Sequence, residues 1–584
     1  MFGIILGLVI TTIPFSLVLL FRNKLLGFLY IVTYQILLHL TLAMLVQSLQ
    51  VFSYSVVLTI HSVIATTVVI TLFIKRQSIS KIKINWFFVL ALLIVFFQLW
   101  SVHYSYTGTI STINGYRETV NNKYIYPYFS DEWVEMSLVK YSIENEKLPI
   151  VNPLINKARF ISPVLPFFSF LSEVFLILKL DPLTQFPFLS ILSGLSICSL
   201  IYLILRKIGI GTAISLLIFL SIPYITNGAN LPGIWFLIPL IMGIILFLLS
   251  VLSFISENKK LALINSILSV IFYPPMIVFS FPILIIIFLR KEAGRNNRWL
   301  IISGVILFII LASTSYFIFK EGTWGYLMSL IFRTNLESGI PQFNPLNIIP
   351  LWLLIPAILG IFTVLKKRLW IIICPILVGA IFWCVYLFTQ KVFIIDYPRV
   401  VVITSLLISI LSGMGIRLVV DKINSKCSWQ KRVPDLIWMI IIVSTFAIAS
   451  PYYTANSSWK RLTMNIGVGQ KEILPASPSN TYLTNDDLRL FQNIKKKRFI
   501  SVPWKGLVIG AATGNYPIES KASIITNKLY SYNGFMSGNC TTKINTSDKF
   551  RIDYVYSRPF SCDFFEKIGE SEEGLILYKF SNKR

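Results

Sequence analysis

The chain has 584 residues, of which 55% are hydrophobic and only 13% charged, against about 25% charged in an ordinary globular enzyme, so most of it must lie in lipid. Its formal charge of +26 would point to nucleic acid in a soluble protein, but the basic residues fall largely in short loops between apolar runs, as the positive-inside rule requires. No basic stripe with interleaved aromatics remains to bind nucleic acid.

A bilayer span takes about 20 apolar residues, and such runs begin near Gly3, Leu25, Val51 and Trp86. The first lacks a small-residue cleavage site and is read as a retained span, not a signal peptide. Arg22 and Lys24 follow it, Lys75, Arg76, Lys81 and Lys83 follow the third run, and the connection near Gln50 to Tyr54 is uncharged. This bias puts the N-terminus outside, with 1–85 as added N-terminal helices and 86–451 as the transmembrane core.

The loop after the fourth span, roughly 104–162 within an outer region 104–185, is too long to be a mere connector. It contains Tyr128-Phe129-Ser130-Asp131-Glu132-Trp133-Val134-Glu135, which opens a helix running to about Glu146. Ser130 suits an N-cap, and Asp131 and Glu132 suit the positive end of the helix dipole. A carboxylate at the outer rim of the membrane also suits a general base on an acceptor hydroxyl, or a ligand for a divalent cation. Both readings stay open at this point. The stretch Pro163 to Leu180 is apolar but holds Glu173 and Lys179. If it crossed, Arg206 and Lys207 would fall outside, so an interfacial helix on the outer surface is expected.

Further spans are expected near 186–205, 208–225 and 233–256, after which Lys259 and Lys260 return inside. The run 261–290 holds Tyr273-Pro274-Pro275, and tandem proline predicts two short helices meeting at the outer surface. Spans near 300–319, 347–366, 369–389, 398–419 and 435–451 bring the total to about 14. Cys198, Cys374 and Cys384 lie in these runs as small buried hydrophobes. With no CxxC and only three histidines, sulfur or imidazole has little with which to build a metal site.

Residues 452–584 regain charge, Asn, Ser and Gly, with β-rich runs at Phe499 to Val502, Gly506 to Gly510, Ile552 to Tyr556 and Leu575 to Phe580. A small extracytoplasmic α/β domain is expected. Its two cysteines, Cys540 and Cys562, either pair, contributing about 3 kcal/mol, or remain free thiols. Sequons stand at Asn456, Asn539 and Asn545.

A carboxylate acting as general base on an acceptor hydroxyl needs a cationic partner for the leaving phosphate. Arg117, Lys123, Arg159, Arg333, Lys391 and Arg399 lie on the same face, with arginine favoured for bidentate phosphate contact. Arg399 follows Asp396-Tyr397-Pro398 at the head of a span, where it suits a lipid phosphate, a snorkelling residue or a partner for Asp396. Aromatics such as Tyr128, Trp133 and Trp324 suit stacking on an acceptor or sugar face, or membrane anchoring.

Ser130-Asp131-Glu132-Trp133, the helix through Lys140 to Lys147, Leu148-Pro149 to Asn152-Pro153-Leu154, the Ser162-Pro163 to Leu180 helix and the Arg206-Lys207 span end together resemble the GT-C superfamily of membrane glycosyltransferases. That superfamily includes the protein O-mannosyltransferases and the aminoarabinose transferase of lipid A. The resemblance implies transfer of a sugar from a polyprenyl-phosphate donor to a glycan, lipid or protein acceptor. It implies Asp131 as base with Glu132 in support, and Arg399, Arg333 and Arg159 on the donor phosphate. No cofactor is fixed, though a divalent cation on Asp131 and Glu132 is compatible. Three spans precede the one matching the family's first, and Trp133 after the acidic pair fits neither named subfamily, so donor and acceptor are not carried over. An envelope polysaccharide polymerase or ligase is the alternative within enzymes. A transporter or flippase would need charges within the spans and internal repeats.

Overall fold

The computed structural model describes residues 2–75, 85–104, 109–112, 115–118, 125–127, 130–155, 162–225, 234–289, 349–389, 394–426, 483–520, 529–571 and 574–581. Apolar composition makes most of these helices. The N-terminal group is α1 (Phe2–Thr12), continued by a 3₁₀ segment to Leu20, with α2 (Lys24–Ser48) and α3 (Tyr54–Ile74). After α4 (Trp86–Tyr104) a small antiparallel hairpin of β1 (Thr109–Thr112) and β2 (Gly115–Glu118) precedes α5 (Ser130–Asn145) and α6 (Leu165–Ile177). The bundle continues with α7 (Pro182–Lys207), α8 (Thr212–Ser221), α9 (Pro239–Ile255), α10 (Lys259–Phe272) and α11 (Ile277–Leu289). It closes with α12 (Leu351–Lys366), α13 (Trp370–Thr389) and α14 (Tyr397–Lys426).

Among the described residues, five helical stretches are long and apolar enough to cross a membrane: Gly3–Leu20, Lys24–Ser48, Tyr54–Ile74, Pro182–Lys207 and Tyr397–Ile423. The spans expected near 300–319 and 435–451 lie outside the described residues. Tandem proline breaks the 261–290 run as its missing N–H groups dictate: α10 stops at Phe272, Pro274–Met276 forms one 3₁₀ turn, and α11 starts at Ile277.

One expectation is corrected at α6, which does not lie open on a surface. Phe167, Phe168, Leu171, Glu173 and Phe175 are all buried. Ser169 O accepts a hydrogen bond from Gln47 of α2 at 3.1 Å. A carboxylate in so apolar a helix needs partners, and Glu173 finds them on α2 and α3. The cysteines also differ from expectation, for Cys198 is buried while Cys374 is partly buried and Cys384 exposed.

Basic residues gather at one end of the bundle. Around the turn after α7, Arg206 donates to Ile210 O at 2.5 Å, Lys367 donates to Ile208 O at 3.2 Å, and Arg417 donates to Gly209 O. These cations satisfy carbonyls at a helix C-terminus, where the dipole favours positive charge. Since α14 runs from Tyr397 to Lys426, its start near Arg399 lies at the opposite end.

Helices α12 and α14 cross at small residues, the packing that lipid-embedded helices use in place of a hydrophobic drive. A side chain at Gly415 would collide with Pro356 O, and one at Gly360 with Leu411 O. Glycine in a helix ordinarily costs about 1 kcal/mol relative to alanine, so Gly415→Ala at an open site would stabilise. Here the collision decides the sign. Gly415→Ala is expected to lower stability by about 1–3 kcal/mol, read as a reduced melting temperature in detergent.

The C-terminal domain contains α15 (Asn485–Phe491), α16 (Pro503–Thr513), α17 (Tyr532–Ser537) and α18 (Cys540–Phe550). Its strands are β3 (Arg498–Ser501), β4 (Tyr516–Pro517), β5 (Tyr554–Ser557), β6 (Phe565–Glu570) and β7 (Ile576–Phe580). They form one mixed sheet in the order β4-β3-β5-β7-β6, parallel from β4 to β5 and antiparallel beyond. Gly506 to Gly510, expected as a β-rich run, lies inside α16. Leu507, Val508 and Ile509 are all buried, and an apolar run hidden on every side carries no period to tell strand from helix. Cys540 and Cys562 form a disulfide with Cα atoms 5.5 Å apart.

Candidate functional site

Helix α5 carries three carboxylates in its first two turns. Asp131 and Glu135 stand four residues apart and so share a face, and Glu132, three residues before Glu135, borders it. The Glu132 side chain is fully buried, and its Oε1 accepts hydrogen bonds from Ser190 Oγ of α7 at 2.6 Å and from Leu237 N at 3.1 Å. Leu237 belongs to the buried segment leading into α9, which His103 of α4 also holds by donating from Nε2 to Trp235 O at 2.7 Å. Glu132 therefore pins α5 to α7 and shares with Ser190 Oγ the task of satisfying a buried backbone N–H.

Asp131 is partly exposed, and across from it comes Arg399 at the head of α14. Arg399 Nη1 donates to Tyr273 Oη at 2.5 Å and lies 3.4 Å from Asp396 Oδ2, with the guanidinium carbon 5.6 Å from the Tyr273 ring centre. Tyr273 is the last residue before the tandem proline, so the elbow between α10 and α11 presents its phenol to the arginine. The preceding turn is braced by Tyr386, which donates to Ile395 O. Asp131 and Asp396 both act on Arg399 electrostatically.

Glu135 is the residue that sequence reasoning missed. It is buried, and its Oε2 accepts no hydrogen bond among the described residues. Burial pushes its carboxyl well above the usual carboxylate range; the charge of Asp131 pushes it further, Arg399 draws it back, and Glu132 adds to the rise. An i, i+4 acidic pair near a helix start is ordinary in sequence. What sets this one apart is an arginine on a helix far along the chain.

The sign of the pH effect follows. A carboxyl whose folded pKa is raised binds its proton more tightly folded than unfolded. Its contribution to stability is greatest at low pH and falls as pH climbs from the ordinary carboxylate value through the raised one. Glu135→Gln, fixed in a neutral form of the same shape, is expected to melt higher than wild type at neutral pH and to flatten that decline. Thermal melts across pH check this, and a variant that melts lower at neutral pH would mean that Arg399 holds Glu135 ionised.

Of the residues expected at the site, the structure brings Asp131 and Arg399 into one electrostatic cluster with Glu135. Trp133, expected at an acceptor groove, is fully buried, and its indole N–H has no partner among the described residues. It is a core residue of α5 with no face open for stacking, because the position next to Glu132 turns into the bundle. Tyr128, Arg159, Arg333 and Trp324, with Lys123 and Lys391, lie outside the described residues, and Arg117 lies in β2.

The far side of α5 meets the C-terminal domain. Lys140 Nζ donates to Ala512 O of α16 at 2.5 Å, Tyr126 Oη donates to Asn485 Oδ1 at 3.4 Å, and Leu154 lies against Gly510. The acidic helix is thus held between the bundle and this domain.

No protein-family model and no curated protein matches the sequence. Structural neighbours are found among solved structures of archaeal oligosaccharyltransferase from Archaeoglobus fulgidus, a membrane glycosyltransferase of the GT-C superfamily. One is a complex with an inhibitory peptide and a dolichol-phosphate, 12% identical over 81% of this chain and 69% of that one, at a TM-score of 0.46. The apo form is 13% identical over 85% and 74%, also at 0.46. A form tethered by a disulfide to an acceptor peptide with the NVT sequon is 14% identical over 81% and 69%, at 0.45. With identities this low and TM-scores below 0.5 the similarity carries no functional weight, which falls on the geometry of the site.

Proposed function

We propose that this protein is a membrane glycosyltransferase that moves a sugar from a polyprenyl-phosphate donor to an acceptor hydroxyl at the outer face of the membrane. In this reading the bundle has about 14 spans, with the N-terminus and the C-terminal domain both extracytoplasmic. The observation that carries it is the meeting of Asp131, at a helix start, with Arg399, at the head of an apolar span.

The chemistry follows from where the charges sit. A lipid-borne phosphate arrives at head-group depth, and an arginine there, steadied by Tyr273 and Asp396, offers it paired charge-assisted hydrogen bonds. Asp131, partly exposed beside that arginine, takes the proton from the acceptor hydroxyl as its oxygen attacks the anomeric carbon and the C–O bond to the phosphate breaks. Glu132 positions α5 and touches no substrate. A divalent cation fits the donor set, since Asp131 and Glu135 supply the hard oxygens that such ions prefer and Glu135 Oε2 is buried without a hydrogen-bond partner among the described residues. When bound, such an ion would add positive charge opposite the phosphate.

The test is incubation of the purified protein in lipid with a panel of polyprenyl-phosphate sugars, following donor consumption by mass spectrometry. Consumption by wild type that disappears in Asp131→Asn supports the reading. If no donor is consumed across a broad panel, the glycosyltransferase reading falls and a transporter or scaffold takes its place.

A further inference from the structure

Two of the three histidines in this chain meet at one buried carboxylate of α6. His39 Nδ1 of α2 lies 2.8 Å from Glu173 Oε2, and His61 Nε2 of α3 lies 2.6 Å from Glu173 Oε1. The two imidazoles stack with centroids 4.6 Å apart, so both nitrogens approach the same carboxylate from the same side. His61 and Glu173 are buried and His39 nearly so.

Charge makes this cluster unusual. A carboxylate in the apolar part of a helical bundle is costly unless compensated. Among the described residues the two imidazoles are its ion-pair partners, with no lysine or arginine beside it; Lys179, just past the end of α6, lies 4.1 Å from the centre of the Tyr54 ring instead.

We propose that His39, His61 and Glu173 form a binding site for a divalent transition-metal ion, with zinc the best match. Two imidazole nitrogens and one carboxylate are a recurrent zinc donor set that leaves a fourth position open. The ligand atoms all lie within 4.8 Å of one another. Bonds of about 2.0–2.1 Å in a tetrahedron place donors about 3.3 Å apart, so the widest pair of the set closes by up to about 1.5 Å on binding. The ion would staple the N-terminal helices α2 and α3 to α6, which packs in turn beneath α5. Scarcity of histidine argues against a metal site only while the sequence positions of those histidines are read as places in space.

The test uses the full-length protein, stripped with a chelator and reloaded with Zn²⁺ or Co²⁺. Wild type is expected to retain about one zinc per chain, with a rise in melting temperature. With Co²⁺ it is expected to show the visible absorption of a nitrogen-ligated ion of low coordination number; binding at the oxygens of Asp131 and Glu135 would lack that band. His61→Gln keeps an N–H donor for Glu173 while removing the imidazole, and should weaken zinc binding by at least the roughly 10- to 100-fold that losing an outer-shell partner costs. His39→Gln, at the more exposed corner, is a second variant should the first fail to fold. Absence of zinc and of the cobalt band in folded wild type would overturn the proposal, as would equal zinc content and an equal spectrum in either folded variant.

Discussion

Asp131→Asn is expected to reduce sugar transfer by about 10²- to 10⁴-fold, the usual worth of a positioned general base. Asparagine has the shape of aspartate and still accepts at a helix start, but it cannot take up the acceptor's proton. The loss should fall on kcat, with donor binding and the melting temperature close to wild type, because Glu132 and not Asp131 pins α5 to the bundle. Full activity in the variant would return Asp131 to the role of a helix-start residue.

The second large effect is expected at Arg399. Arg399→Ala removes a charge-assisted contact worth about 1.5–3 kcal/mol, so the donor concentration for half-maximal transfer should rise roughly 10- to 100-fold. It also strips Asp396, Asp131 and Glu135 of a shared cation, and Glu135 should hold its proton to still higher pH. Arg399→Lys keeps the charge without the planar fork and should fall between the two. Steady-state kinetics against donor concentration would separate the roles. An unchanged donor KM with a lowered melting temperature would reduce Arg399 to a partner for Asp396.

What the sequence made legible was whatever depends on neighbours along the chain. Apolar run length located the helices, the tandem proline after Tyr273 required the elbow between α10 and α11, and the acidic start of α5 was visible as Ser130-Asp131-Glu132. Properties that depend on distant residues were hidden. Glu135 was only one letter of the acidic helix start until Arg399 and burial were added. Glu132 was expected beside Asp131 as a supporting residue or cation ligand, yet Ser190 and the Leu237 N–H claim its Oε1. Trp133 was open to stacking on a sugar or to membrane anchoring, but its place on α5 turns it into the core. Glu173 gave the α6 stretch the look of a surface helix, when two histidines on other helices were waiting to receive it.

The grip on α5 from two sides has a consequence for biosynthesis. Its membrane side is complete once α14 is in place, but its other wall, Ala512 against Lys140, is made later in translation, because α16 follows α14 in the chain. At about 5–20 residues per second, a growing chain spends several seconds with α5 seated on the bundle and bare on its outer face. The acidic turn reaches its final setting only when the domain carrying α16 arrives, so a product stalled before it would carry Asp131 and Arg399 and still lack the finished site.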